Sequence, residues 1–325
     1  MTASDFIMQN LESLKRNPMP CNLPPPAICQ ADDVLTDKIL QIIISKKFRQ
    51  FPISQQLTDS VRDTIGMAVR TQTRLKFLFP QGLYKLWRLS EAPYADWAEL
   101  FFLMYCAKSL SEICAIYAPG VELDLFVDDL IDEKLNNLTA DELVAYGDSF
   151  QEVMNFVKKF LPDNFDLKMT KVSQLFETPE AFWKSLQKNL ELTPLPELSE
   201  KQIEKIELNV RLLPDQGQDP LWREKVMQLH NAFSATKKEP KYHHGRKDKV
   251  LLSADPVPSG IYVEIGTTPS SVAKHWVGAG VLMKKNDGYR MRILSAHQIS
   301  DSDFEWQPID IPGLTGKNFH KIRII

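Results

Sequence analysis

Apolar residues recur along this chain with two periods, and where the period changes the structure is expected to change too. A return every three or four residues predicts a helix, and alternation or a short apolar burst predicts a strand. Both occur between residues 75 and 146. The run Leu75-Lys76-Phe77-Leu78-Phe79 predicts a strand that breaks at Pro80. The most regular helical pattern covers about residues 94–117. There Trp97, Phe101, Met104, Ala107, Leu110, Cys114 and Tyr117 form a stripe that must face a sheet or another helix. Pro119-Gly120 stops it. Val121, Leu123, Leu125 and Val127 then alternate with Glu122 and Asp124, the pattern of a half-covered or edge-near strand, which ends on Asp128-Asp129. Thr139 with Glu142 three residues on reads as a capping box, opening a helix to about residue 160. Pro162-Asp163-Asn164 turns the chain into a third strand at 165–169.

Upstream, Asp32-Asp33 supplies an N-cap for a helix to about residue 50, with Val34, Ile39, Ile42 and Ile43 toward the core. A second helix covers 58–71, its apolar side formed by Val61, Ile65, Ala68 and Val69. Five prolines between Pro18 and Pro26 interrupt regular structure, so residues 1–31 read as an arm over the surface. Downstream, helices are expected at 179–190, 199–210 and 220–235, followed by a basic, His-bearing loop at 236–249. Beyond it the pattern becomes β-rich, with short strands at 250–252, 261–265, 279–283 and 289–294. Asn286-Asp287-Gly288 makes a hairpin of the last two, and residues 304–325 add one or two more strands. Three strands separated by helices predict the α/β class, a Rossmann-like parallel sheet flanked by helices, with a β-richer C-terminal part. The expected organisation is a proline-rich arm (1–31), an α/β core (32–248) and a β-rich part (249–325), separate or packed into the same domain.

Composition narrows the class. At 325 residues, with 43% hydrophobic and 25% charged, the chain can bury a substantial core, so global disorder is not expected. A formal charge of −3 gives no electrostatic reason to expect nucleic acid, which usually meets a basic face. The apolar burst at 39–44 is far short of a membrane span, and residues 1–10 lack a basic region followed by an apolar one. Cys106 and Cys114 fall in one predicted helix, about 12 Å apart and too far to bridge. Cys21 and Cys29 could pair, but one possible bridge is weak evidence for secretion, so reduced thiols in a cytoplasmic protein are expected, with no membrane partner; the oligomeric state stays open.

Several signatures are missing. No Gly-rich phosphate loop follows a strand, and no Gly-x-Ser-x-Gly elbow occurs, so dinucleotide, P-loop and serine-hydrolase readings lack support. His243-His244 are adjacent and without Cys or His at zinc spacing, which suits a solvated loop better than a metal site. Asp128-Asp129 sits at a strand exit, where a carboxylate either holds a substrate ammonium, acts as a base, or caps a turn. Lys85 and Arg88 follow the first strand and can bind a phosphate or carboxylate, while Tyr84 and Trp87 between them can wall a pocket. His275-Trp276 precedes the strand at 279. Cys106 and Cys114 read as buried helix residues, not nucleophiles, because no partner base is visible.

The stretch from Leu75 to Phe156 resembles the isonitrile (isocyanide) synthase family of the pyoverdine, paerucumarin and dityrosine type of pathway. The resemblance rests on Leu78-Phe79-Pro80 with Ala92-Pro93-Tyr94-Ala95-Asp96, on Ile113 to Gly120 followed by a strand, Asp128, and Leu138 to Tyr146, and on Trp276, Asp287-Gly288 and their strands. It implies a Rossmann-like fold and an enzyme of secondary metabolism with transferase or lyase chemistry. Such an enzyme converts the amine of an aromatic amino acid to an isonitrile, with ribulose 5-phosphate supplying the carbon and neither metal nor other cofactor. Asp128 and Lys85 would then be catalytic, and Arg88, Tyr84, Trp87, Asp129, His275 and Trp276 would bind substrate. The sequence departs from the family where the basic Phe-Pro-x-Lys motif reads Phe79-Pro80-Gln81-Gly82. It departs again where Asp-Gly reads Asp128-Asp129, where Lys134 stands at an acidic position, and where Trp-His reads Trp276-Val277. These changes define the alternative, an inactive paralogue that binds a small molecule or a protein.

Overall fold

The computed structural model describes residues 1–15, 28–45, 53–81, 93–127, 129–212, 215–236, 239, 249–253, 263–266, 278–286, 288–294, 298–299 and 302–325. Residues 1–15 do not lie over the surface, while the proline cluster of the expected arm lies outside the described residues. Residues Ala3–Glu12 form α1, opened by a Thr2–Asp5 capping box, and Ala3, Ile7, Leu11 and Leu14 are buried in the core. Those residues recur at helical spacing, and the proline cluster begins only after them. Helix α2 (Ile28–Ile43) starts before Asp32-Asp33, so these two acids lie within it rather than capping it. Ile39 and Ile43 are buried as expected, but Val34 is 44% exposed. In α3 (Gln55–Thr71), capped by Ser54, all four predicted core residues are buried.

The next elements build the sheet: β1 (Leu75–Gln81), α4 (Trp97–Cys114), β2 (Val121–Val127), α5 (Asp129–Leu135), α6 (Ala140–Lys158) and β3 (Phe165–Lys171). Three helices follow, α7 (Pro179–Leu192), α8 (Glu200–Asn209) and α9 (Trp222–Thr236), and then β4 (Lys249–Ser253) and β5 (Val263–Gly266). The five strands are all parallel, in the order β3-β2-β1-β4-β5. The strand order reverses between β1 and β4, which is the arrangement of doubly wound α/β sheets. Alternate residues of the strands enter different cores. Phe77 and Phe79 of β1 pack with α3, α4 and α6, while Leu78 and Phe126 pack with α5, α7 and α9. The expected fold class is the one found.

Strand β2 is not half-covered. It runs between β1 and β3, and all its residues but Glu122 are buried. Its two acids are matched across the ladder: Thr170 donates to Asp124 at 3.0 Å, and Lys168 pairs with Glu122 at 2.9 Å. One glycine sets the starting line. Gly120 has φ +73, and a Cβ there would stand 1.8 Å from the carbonyl oxygen of Asn164. Through it Leu75 N–H donates to the Gly120 carbonyl, and Val121 N–H donates to the Asn164 carbonyl, each at 3.0 Å. Strands that start together finish together, with Gln81, Val127 and Lys171 side by side.

Helix α4 carries more than one apolar stripe. Besides the predicted positions, Leu100, Phe102, Leu103, Cys106 and Ile113 are buried, because the helix is covered on opposite sides. One cover is the parallel sheet. The other is a mixed sheet of β6 (Ala279–Lys285), β7 (Gly288–Leu294), β8 (Glu305–Pro308) and β9 (Lys321–Ile324), in the order β7-β6-β9-β8. The predicted hairpin joins β6 to β7, with Lys285 opposite Gly288. The carboxyl-terminal segment then grips the start of α4. Trp97 Nε1 donates to the Lys321 carbonyl at 2.7 Å, and the Phe319 ring meets the Trp97 ring edge-on at 5.0 Å.

Among the described residues no helix is long and apolar enough to cross a membrane. Cys106 and Cys114 are buried and free, and burial pushes both thiols upward, Cys114 to about 12. Since the thiolate is the reactive form, a Cys21→Ser/Cys29→Ser variant is expected to resist an aromatic disulfide reagent at pH 8 while folded. It should release both thiols in denaturant. Rapid labelling of the folded variant would contradict this packing.

Candidate active site

The carboxyl ends of β2 and β3 bound a cavity of about 220 Å³. Val127 and Met169 reach it from the strands, and Leu130 reaches it from α5. The first two turns of α6 line its open side with Ala140, Leu143 and Val144, of which Ala140 and Val144 are exposed, so most of the lining is aliphatic. The polar groups are few. Asp129 enters from the first residue of α5, Tyr146 from α6, and Lys171 from the last residue of β3. Apolar walls with a few placed polar groups are the usual make-up of a small-molecule site.

Each polar group is held by its neighbours. Asp129 accepts from the Ser173 N–H at 3.0 Å and from the Ser173 hydroxyl at 2.6 Å. With Val127 opposite Lys171, the Asp129–Ser173 pair continues the strand register two residues past its end. Lys171 N–H donates to Gln174 Oε1 at 3.1 Å, which fixes the turn that leaves β3. Tyr146 donates to Glu99 Oε1 at 3.1 Å, and Glu99 Oε2 accepts from the N–H of Asp96 at 2.8 Å. Asp96 is the N-cap of α4, so the Pro-x-x-Asp before the long helix has a plain structural cause. The buried Glu99 thereby joins the start of α4 to the cavity wall on α6.

Of the residues the sequence singled out for a site, Asp129 alone is among those described. Asp128, Lys85, Arg88, Tyr84, Trp87, His275 and Trp276 lie outside the described residues, as do His243 and His244. Val127 and Asp129, the chain neighbours of Asp128, both line the cavity. Asp129 also does what an acid at a strand exit commonly does, since it ties down a neighbouring turn. Lys134, which stands where an acid was expected, is turned to other uses. Its ammonium lies 3.1 Å from Glu133 and 5.4 Å from the centre of the Trp183 ring on α7.

Sequence reasoning missed Lys171 and Gly147. No local pattern marks either residue; only the register of β2 with β3 and the packing of α6 bring them to one place. A Cβ on Gly147 would stand 3.3 Å from Lys171 Nζ, so the lysine runs across a helix position that has no side chain. Among the described residues Lys171 makes no ion pair. No group of three or more His, Cys, Asp or Glu side chains among them is arranged to hold a metal ion.

The strand order and the packing of helices on both faces define a doubly wound α/β protein with a small cavity at the exits of β2 and β3. No protein-family model matches the chain, and no curated protein matches it in sequence. In structure it is similar to the PvcA protein from Pseudomonas aeruginosa, with a TM-score of 0.58 and 12% identity over 100% of both chains. At that identity the likeness establishes the fold. Weaker likenesses reach a TM-score of 0.30. One is tyrosyl-tRNA synthetase from Aeropyrum pernix (8% identity, 67% of this chain and 52% of that one), and another is a tryptophanyl-tRNA synthetase homolog from Entamoeba histolytica (10%, 76% and 54%). Neither of these two bears on the function.

Proposed function

We infer that the chain is a divergent isonitrile-synthase-like enzyme that acts on the amine of an amino acid or a similar substrate, with a sugar phosphate as carbon donor. The observation that supports this most is the aliphatic cavity at the exits of β2 and β3. The neighbours of Asp128 border it, and an acid and a cation stand among its few polar groups. Turning an amine into an isonitrile removes both of its hydrogens, so the reaction needs a base beside the nitrogen and cations for the anionic parts of both substrates. In this reading Asp128 is the base or amine anchor, and Lys85 and Arg88 serve the anions. Tyr84, Trp87, His275 and Trp276 shape the substrate pocket.

The test is incubation with each common amino acid and ribulose 5-phosphate, followed by mass spectrometry. A new product carrying one added carbon is expected with an aromatic amino acid. No mass change with any of them would sink the reaction. The second reading, an inactive paralogue that binds a small molecule, is favoured by Gln81-Gly82 in place of the basic motif and by Lys134 engaged on Glu133 and Trp183. It expects ligand binding without turnover.

A further inference from the structure

We propose that Lys171 is the carboxylate-binding residue of the cavity and that Gly147 makes room for it, so the site selects an α-amino acid over the corresponding bare amine. This rests on the reading of the cavity as the amino-acid site, and it goes beyond that reading by assigning the amino-acid carboxylate to Lys171 and leaving the sugar phosphate to Lys85 and Arg88. The register supplies the geometry. Lys171 is the partner of Val127 on the adjacent strand, and Asp129 lies two residues past Val127. Adjacent strands are about 4.8 Å apart, so an acid and a cation face the same small space from neighbouring strand exits. An α-amino acid carries its ammonium and carboxylate on one carbon, which is the charge pattern this space fits. Both oxygens of Asp129 accept from Ser173, but a carboxylate has lone pairs for further donors, so it can still receive an ammonium.

Size and lining decide the rest of the ligand. A cavity of about 220 Å³ is smaller than the roughly 300–1,000 Å³ of sites for drug-sized molecules. The cavity is open on one side, and its volume suits one amino acid. Leu143, Val144 and Met169 offer the side chain an aliphatic surface and no hydrogen-bond partner, which favours an apolar side chain. The lysine is placed for an anion: it makes no ion pair among the described residues, and its ammonium lies over the bare backbone of Gly147. An Ala at 147 would crowd that ammonium, and a larger residue would take its place.

Calorimetric titration tests this with two pairs of ligands, L-phenylalanine against phenethylamine and L-leucine against isoamylamine. In the native protein the acid of each pair is expected to bind about ten- to a hundredfold tighter than its amine, the effect of one charge-assisted contact. Lys171→Met should erase that preference by weakening binding of the acid, with the amine bound no more weakly than by the native protein. Lys171→Arg should keep most of it, and Gly147→Leu should abolish binding of both members. Thermal unfolding midpoints close to the native value confirm that the variants are folded. Equal affinity for acid and amine, an unchanged preference in Lys171→Met, or no binding of any ligand would overturn the proposal. Because the readout is binding, its failure is distinct from failure of the reaction, which turnover alone measures.

Discussion

Replacing Gly280 by valine is expected to destabilise the protein by about 3 kcal/mol or more, enough to detach the mixed sheet from α4. A Cβ at 280 would stand 2.4 Å from Trp97 Cβ, 2.5 Å from the Trp97 carbonyl carbon and 2.7 Å from the Ala98 nitrogen. Two of these atoms are backbone in the first turn of a buried helix, so rotating a side chain cannot relieve the clash. Either β6 or the start of α4 must move, and each is fixed by other contacts. Trp97 is anchored through its indole N–H to Lys321, while β6 pairs with both β7 and β9. Even Gly280→Ala should lower the urea midpoint clearly. Gly217→Ala is the control, because a Cβ there meets nothing within 4 Å, and a change below about 0.5 kcal/mol is expected. An unchanged midpoint in Gly280→Ala would mean that β6 does not approach α4 so closely.

Much of this architecture is legible along the chain, and the failures share one cause. Period and capping chemistry are local, so α3, the Thr139–Glu142 capping box of α6 and the β6–β7 hairpin stand where the pattern predicts them. Burial depends on what lies across from a residue. Glu122 and Asp124 give β2 the alternation of an edge strand, yet Lys168 of β3 pairs with Glu122 and Thr170 of β3 donates to Asp124. The α4 stripe understates the burial of that helix, because one apolar face predicts one cover and the helix has two. At the amino terminus the prolines of 18–26 suggest an arm, but the residues before them have a helical period of their own.

The site divides in the same way. The α/β pattern directs attention to the carboxyl ends of parallel strands, but the cavity lies between β2 and β3 and not at β1 and β4, where the strand order reverses. The residues that meet there do not follow from that pattern. Lys171 and Gly147 are 24 positions apart and belong to no motif, and their meeting depends on a register set at the far end of the strands by Gly120 and Asn164. Asp129 was visible from the sequence as one of two adjacent acids, but its attachment to Ser173 was not.

That attachment predicts opposite behaviour for two neighbouring carboxylates. Asp129→Ala removes the acceptor for both the Ser173 N–H and the Ser173 hydroxyl, which should lower stability by about 1–3 kcal/mol. The change should appear as a lower unfolding midpoint and a looser turn after β3, with Lys171 displaced as a consequence. Asp128→Asn keeps the shape of the side chain and removes only its charge and basicity. In the proposed reaction it should cut turnover by about 10²–10⁴-fold, the usual contribution of a general base. Its unfolding midpoint should stay close to that of the native protein. Parallel measurement of turnover and urea unfolding separates the two roles. If Asp129→Ala abolished turnover at full stability while Asp128→Asn remained active, the base would be Asp129. The bond to Ser173 would then serve to orient a catalytic carboxylate instead of tying down a turn.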